Sequence, residues 1–146
     1  MEIKKGFFEI TVEESKSIND IRFLRVNYPE KEAVKIDAYY DKLKERDIQN
    51  IKSEIQSIVK LSVTALNLLT EREYFEKGLV VMYSLLKNHD FLIVTDAGFS
   101  YESIDIYRVL MNEIIKKLGN KSIYFVRHKH EKVKINFTSK GGRYYL

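Results

Sequence analysis

The chain has 146 residues, 25 Lys and Arg against 21 Asp and Glu, a formal charge of +4 and no cysteine. A length of this size suits a single domain whose core needs no metal or disulfide staple. The missing thiols exclude disulfide frameworks, thiolate zinc sites and cysteine nucleophiles together. Met1 to Gly6 carries no apolar run of the signal-peptide kind, and stretches such as Leu79 to Met82 or Phe91 to Val94 are far too short to span a bilayer. The expected setting is the cytoplasm, with no membrane partner. One proline, six glycines and abundant Ile, Lys, Glu and Tyr suit a thermophile or an AT-rich genome.

In chain order, Gly6 to Val12 and Ile21 to Tyr28 are rich in aromatic and β-branched residues and predict two strands, joined by the polar stretch Glu13 to Asp20. Pro29 ends the second. Ala33 to Tyr40 alternates apolar Val34, Ile36 and Ala38 with Lys35, Asp37 and Tyr39, which predicts a third strand and an antiparallel β-meander. From Asp41 to Leu69 there is neither Gly nor Pro. Ile48, Ile51, Ile55, Ile58, Ser62, Ala65 and Leu69 recur at alternating steps of three and four, the stripe of a helix of roughly seven turns or more. That stripe packs across the small sheet or pairs with its copy in a homodimer. Thr70 and Glu73 have the spacing of a capping box ahead of a helix carrying Phe75, Leu79, Met82, Tyr83 and Leu86. The expected division is an N-terminal region of strands and long helix over residues 1–72 and a second region over 73–146. No linker rich in Pro, Gly or Ser separates them.

Asp90 to Ser100 (DFLIVTDAGFS) decides the fold. Behind it, Tyr101 to Leu118 is helical, with Ile104, Tyr107, Met111, Ile114 and Leu118 on its apolar face and Gly119-Asn120 as the stop. Ser122 to Val126 and Val133 to Phe137 predict strands joined through Arg127 to Lys132. Two architectures fit. Either Phe91 to Val94 is a parallel strand and residues 90–126 form a βαβ unit of an α/β fold, or Phe91 to Ala97 is the short first helix of a helix-turn-helix in an α+β fold. By propensity the segment is poor helix and good strand material.

The turn Ala97-Gly98-Phe99-Ser100 resembles that of helix-turn-helix repressors, where Ala-Gly-Val-Ser precedes the recognition helix. Thr138-Ser139-Lys140-Gly141 is similar to the end of many winged-helix wings, where a strand runs into Leu-Thr-x-Lys-Gly. Together these matches span roughly Glu73 to Gly141. The resemblance implies a C-terminal winged helix and a transcriptional regulator bound to double-stranded DNA. Ser100, Tyr101, Glu102, Asp105 and Arg108 would then lie near the bases, and Arg127, Lys129, His130, Lys132 and Lys134 on the backbone.

Charge supports a polyanion partner independently. From Lys116 to Leu146 nine basic residues face one acid, a net +8, and the remaining 115 residues carry −4. Tyr124, Phe125, Phe137, Tyr144 and Tyr145 are interleaved with those cations. Phe125 and Phe137 are expected in the core, leaving Tyr144 and Tyr145 to stack on bases.

As an alternative, the chain is a small α/β hydrolase or nuclease. Asp96 would sit at the carboxyl end of a strand, where open α/β sheets bind ligands. His128 and His130, two apart on an extended strand, share a face and offer proton transfer. Imidazoles among Arg127, Lys129 and Lys132 meet phosphate or solvent more often than metal, so no metal or cofactor is assigned. His89, beside Asn88 and Asp90, is expected at a solvated helix end. Phosphate loops, dinucleotide fingerprints, nucleophile elbows and His-Glu-x-x-His are all missing. A protein-binding accessory subunit without chemistry is the third expectation.

Overall fold

The computed structural model describes residues 3–59 and 72–128. Four strands, β1 (Gly6–Thr11), β2 (Phe23–Val26), β3 (Phe91–Thr95) and β4 (Ser122–Arg127), form one sheet in the order β1-β4-β3-β2. Every pairing is parallel. Among the described residues five helices accompany them: α1 (Val12–Lys16), α2 (Ile36–Lys42), α3 (Glu45–Ile58), α4 (Arg72–Asn88) and α5 (Tyr101–Leu118). The architecture is mixed α/β, and β3-α5-β4 is the βαβ unit expected over residues 90–126.

The two central strands show why. FLIVT and SIYFV are continuous apolar runs rather than alternating ones, as strands buried on both faces must be, and all ten of these positions are buried. On one face Leu92, Val94, Ile123 and Phe125 meet α4 and α5 through Leu79, Met82, Tyr107 and Met111. On the other, Ile93, Tyr124 and Val126 pack with Ile10 and Ile18. Helices α2 to α5 all belong to the first face. The second is closed by the short α1, whose Thr11 and Glu14 make a reciprocal capping box, and by the rings of Phe8 and Phe23 against Tyr124, each 5.1 Å between centroids.

Three expectations are corrected. There is no antiparallel meander: β1 and β2 are strands, but they lie at opposite edges of the sheet and run parallel to the centre. Ala33 to Tyr40 is not a third strand. Val34 makes a single parallel bridge to Val26, and the chain then turns into α2. Ile36, Tyr39, Tyr40 and Leu43, spaced by three and four, face the core, so a helical period lay inside an apparently alternating run. The long helix begins at Glu45, because Leu43 and Lys44 are extended. Its Ile48, Ile51 and Ile55 are buried as expected, but against α4 and α5 rather than across the sheet. The helix also stops at Ile58, partly buried against the same core, because Val59 is extended, so it does not run unbroken to Leu69 as expected. Ser62, Ala65, Leu69 and the Thr70 cap lie outside the described residues, as does the strand expected over Val133 to Phe137.

Ahead of β2, the Asp20 carboxylate accepts from the backbone N–H and the Nε of Arg22, both at 2.9 Å. The Arg22 side chain holds the Asp20 pKa down to about 2. Because the folded value is lowered, the pair favours the fold above the ordinary aspartate range, and that contribution fades as pH falls toward 2. The Asp20 carboxyl carbon is expected to titrate with a midpoint of about 2 by NMR. A midpoint at the ordinary 3.8 would show the fork open in solution.

Candidate functional site

Parallel strands bring their carboxyl ends to one side of a sheet, and ligands of open α/β folds bind there. In register, Val26 lies beside Val94 and Thr95 beside Val126. The next residue of each strand, Asn27, Asp96 and Arg127 followed by His128, therefore emerges on one rim.

Asp96 is 1% exposed. Its backbone is fixed at both ends: the N–H donates to Val126 O at 3.2 Å, and the carbonyl accepts from Phe99 N at 3.1 Å. Its carboxylate reaches across to β4. Oδ2 accepts from the His128 backbone N–H at 2.9 Å, and Oδ1 lies 3.0 Å from His128 Nδ1. A buried carboxylate is costly unless such bonds compensate it. An ionised carboxylate only accepts, so Nδ1 carries a proton, and in the neutral ring Nε2 then keeps its lone pair. The His128 side chain is 50% exposed. The arrangement is an imidazole held in one tautomer by a buried acid, with half its surface open to an incoming molecule.

The loop behind Asp96 makes this geometry possible. Gly98 has φ +85°, and a Cβ there would stand 2.9 Å from Tyr74 Cε2. Phe99 is fully buried, and Ser100 Oγ accepts from Ser103 N at 3.1 Å to cap α5. Ile104 and Tyr107 are buried behind it. All of this local turn chemistry is as expected for Ala97 to Ser100, but the partners are different. Phe91 to Thr95 pairs with β2 on one side and β4 on the other, so the turn joins a strand to a helix, and the first helix expected over Phe91 to Ala97 does not form. β-branched Ile93, Val94 and Thr95 prefer the strand and pack better there.

The other expected residues divide. Tyr101 and Glu102 form the first turn of α5. Asp105, expected near a nucleobase, is 2% exposed and accepts from Arg108 at 3.2 Å. Arg108 also reaches Glu9 at 3.7 Å, and Arg127 reaches the same carboxylate at 3.2 Å. Those two cations are thus matched by acids of β1 and α5. Lys129, His130, Lys132 and Lys134 lie outside the described residues. Asn27, Tyr74, Thr95 and Glu9 were not anticipated; the signal for Asn27 was its place before Tyr28-Pro29, since Asn tolerates the left-handed region at turns. Among the described residues no group of three or more acidic or histidine side chains is arranged to hold a metal ion. A groove of about 480 Å³ runs along β2 past Ile18, Phe23, Arg25, Glu30 and Ile93, and neither Asp96 nor His128 lines it. The chemistry of the dyad outweighs that concavity as the mark of the site.

The described residues thus make a mixed α/β protein with an all-parallel sheet and an aspartate-held imidazole on its carboxyl rim. No protein-family model, curated protein or solved structure matches the chain.

Proposed function

We propose that the protein binds nucleic acid and hydrolyses its phosphodiester bonds, with His128 as general base and Asp96 holding the imidazole. The observation that carries this reading is the pair of hydrogen bonds from His128 to one buried carboxylate on the carboxyl rim. Charge supports the substrate class. Residues 129–146 hold five basic residues and one acid, a net +4, whereas residues 1–128 hold twenty of each sign. The whole excess charge of the chain therefore begins one residue after His128, which favours a polyanionic substrate.

In the step proposed, Nε2 of His128 takes a proton from water as its oxygen bonds to phosphorus. The bond from phosphorus to the leaving alkoxide breaks, and the imidazolium returns the proton to that oxygen. One water and one diester become one phosphomonoester and one alcohol. A positioned base of this kind contributes about 10²- to 10⁴-fold.

The test uses end-labelled single- and double-stranded DNA and RNA. Cleavage is expected with the unaltered chain and is lost about 10²- to 10⁴-fold in His128→Gln. Binding is expected to weaken steeply with salt. Neutralising Lys129 or Lys132 should each lower the log–log salt slope by about one unit. Salt-independent binding rejects the nucleic-acid reading. Tight, salt-sensitive binding to duplex DNA without cleavage of any substrate rejects the hydrolase and leaves the regulator, which the basic segment alone supports.

A further inference from the structure

Asp96 works only if its carboxylate meets a backbone N–H and an imidazole nitrogen of β4 at once, and the loop carrying it is tied from outside β4. Asn27, at the end of β2, has φ +66°, the one positive value among described non-glycine residues. Its Nδ2 donates to Ala97 O at 2.8 Å, with Thr95 O at 3.5 Å, while Thr95 Oγ1 donates back to Asn27 O at 2.7 Å. The carbonyls on both sides of Asp96 thus face one amide. Tyr74 of α4 places its hydroxyl 3.2 Å from Ala97 O and 3.4 Å from Asn27 Oδ1. Burial pushes that hydroxyl up from its ordinary value, which keeps it a donor. The Tyr74 ring also lies 5.2 Å from that of Phe99 and covers the face of Gly98 that has no side chain.

We infer that Asn27 and Tyr74 form a positioning lock, in which the end of β2 and the start of α4 fix the Asp96 loop so that His128 is held in its Nδ1–H tautomer. A left-handed Asn is unfavourable backbone, and here it comes with two bonds at once: the main chain accepts from Thr95 while the side chain turns to Ala97. From the other side Asn27 N–H donates to Val34 O at 2.7 Å, so the residue is braced against the segment leading into α2. Neither Asn27 nor Tyr74 bonds to His128. They act through Asp96, and any change in binding at the rim that shifts Asn27 is transmitted to the tautomer.

The inference rests on the proposed role of His128 in turnover, but its test does not. Asn27→Gly removes the amide and accepts the positive φ without strain, and Tyr74→Phe keeps the ring and removes the hydroxyl. In each, long-range ¹H–¹⁵N spectra of the full chain are expected to show the His128 ring passing from one tautomer to a mixture. Turnover should fall about 10- to 100-fold in kcat, as small misplacements of reacting groups do, with KM unchanged and a cooperative unfolding transition retained. A double variant should lose little more than either single one. A His128 ring that keeps the unaltered tautomer in both variants overturns the lock. If the unaltered chain cleaves nothing, the hydrolase reading fails, while the tautomer still decides whether Asn27 and Tyr74 set it.

Discussion

Gly78→Ala is expected to destabilise the protein by about 2 kcal/mol, although alanine is the better helix former. Replacing a glycine inside a helix ordinarily gains up to about 1 kcal/mol. Here the new Cβ would stand 2.4 Å from the Tyr107 hydroxyl and 3.3 Å from Phe99 Cζ. Tyr107 has no room to yield: it is fully buried, edge-on to Phe75 and Phe99 at 4.8 Å each, and tilted over Phe125 at 6.2 Å. Overpacking of such a core costs about 1–3 kcal/mol, and the clash exceeds the gain in propensity. Tyr107→Phe separates the two effects. The Tyr107 hydroxyl is buried with no hydrogen-bond partner among the described residues. Its loss should therefore be neutral or stabilising by up to about 1 kcal/mol. In the double variant the 2.4 Å clash is gone. The nearest remaining ring atoms are Phe99 Cζ at 3.3 Å and the ring carbon of residue 107 at 3.4 Å, a tight contact to which Phe99 must yield slightly, so most of the lost stability should return. Urea midpoints of the four proteins measure the cycle. A Gly78→Ala chain as stable as its parent would mean that α4 and α5 pack less closely than described.

How far the sequence exposes this molecule depends on the range of the interaction concerned. Apolar runs and helical stripes are local, so β1, β2, β4 and α5 are legible where they occur, and the turn chemistry of Gly98, Phe99 and Ser100 can be read residue by residue. Phe91 to Thr95, by contrast, fitted a strand and a short first helix alike until its pairing with β2 and β4 decided it. Strand pairing is not local. Gly6 lies beside Ser122, and no spacing within either segment says so. Proximity along the chain suggested that β1 and β2 pair with each other; the parallel arrangement separates them because two strands rich in β-branched and aromatic residues, β3 and β4, take the centre. Asp96 and His128 are each recognisable as reactive residues, yet they are 32 positions apart, and only the register of Thr95 with Val126 makes them neighbours. Charge pairing is non-local too. Arg108 and Arg127 look free to meet phosphate until β1 brings Glu9 between them.

Asp96→Asn is expected to abolish proton abstraction while leaving fold and binding in place, and the reason is a matter of hydrogens rather than shape. Among the donors the native carboxylate faces are the His128 backbone N–H at 2.9 Å and Nδ1–H at 3.0 Å. An amide has one acceptor and one donor end. The backbone N–H cannot change, so the amide oxygen must turn to it, which directs the NH₂ toward Nδ1. The imidazole then relieves the donor–donor contact by carrying its proton on Nε2, the atom that must be bare to act as base. Loss of turnover by about 10²- to 10⁴-fold follows, as large as the loss of the base itself, because a histidine held in the wrong tautomer does not take the proton. The salt slope of nucleic-acid binding should be unaltered, because residues 129–146 are untouched. Nitrogen-15 shifts of the His128 ring should show the proton moved from one nitrogen to the other. Full activity in a folded Asp96→Asn protein would remove Asp96 from the mechanism. Lost activity with the tautomer unchanged would mean that its charge, not its orientation of His128, is what the reaction uses.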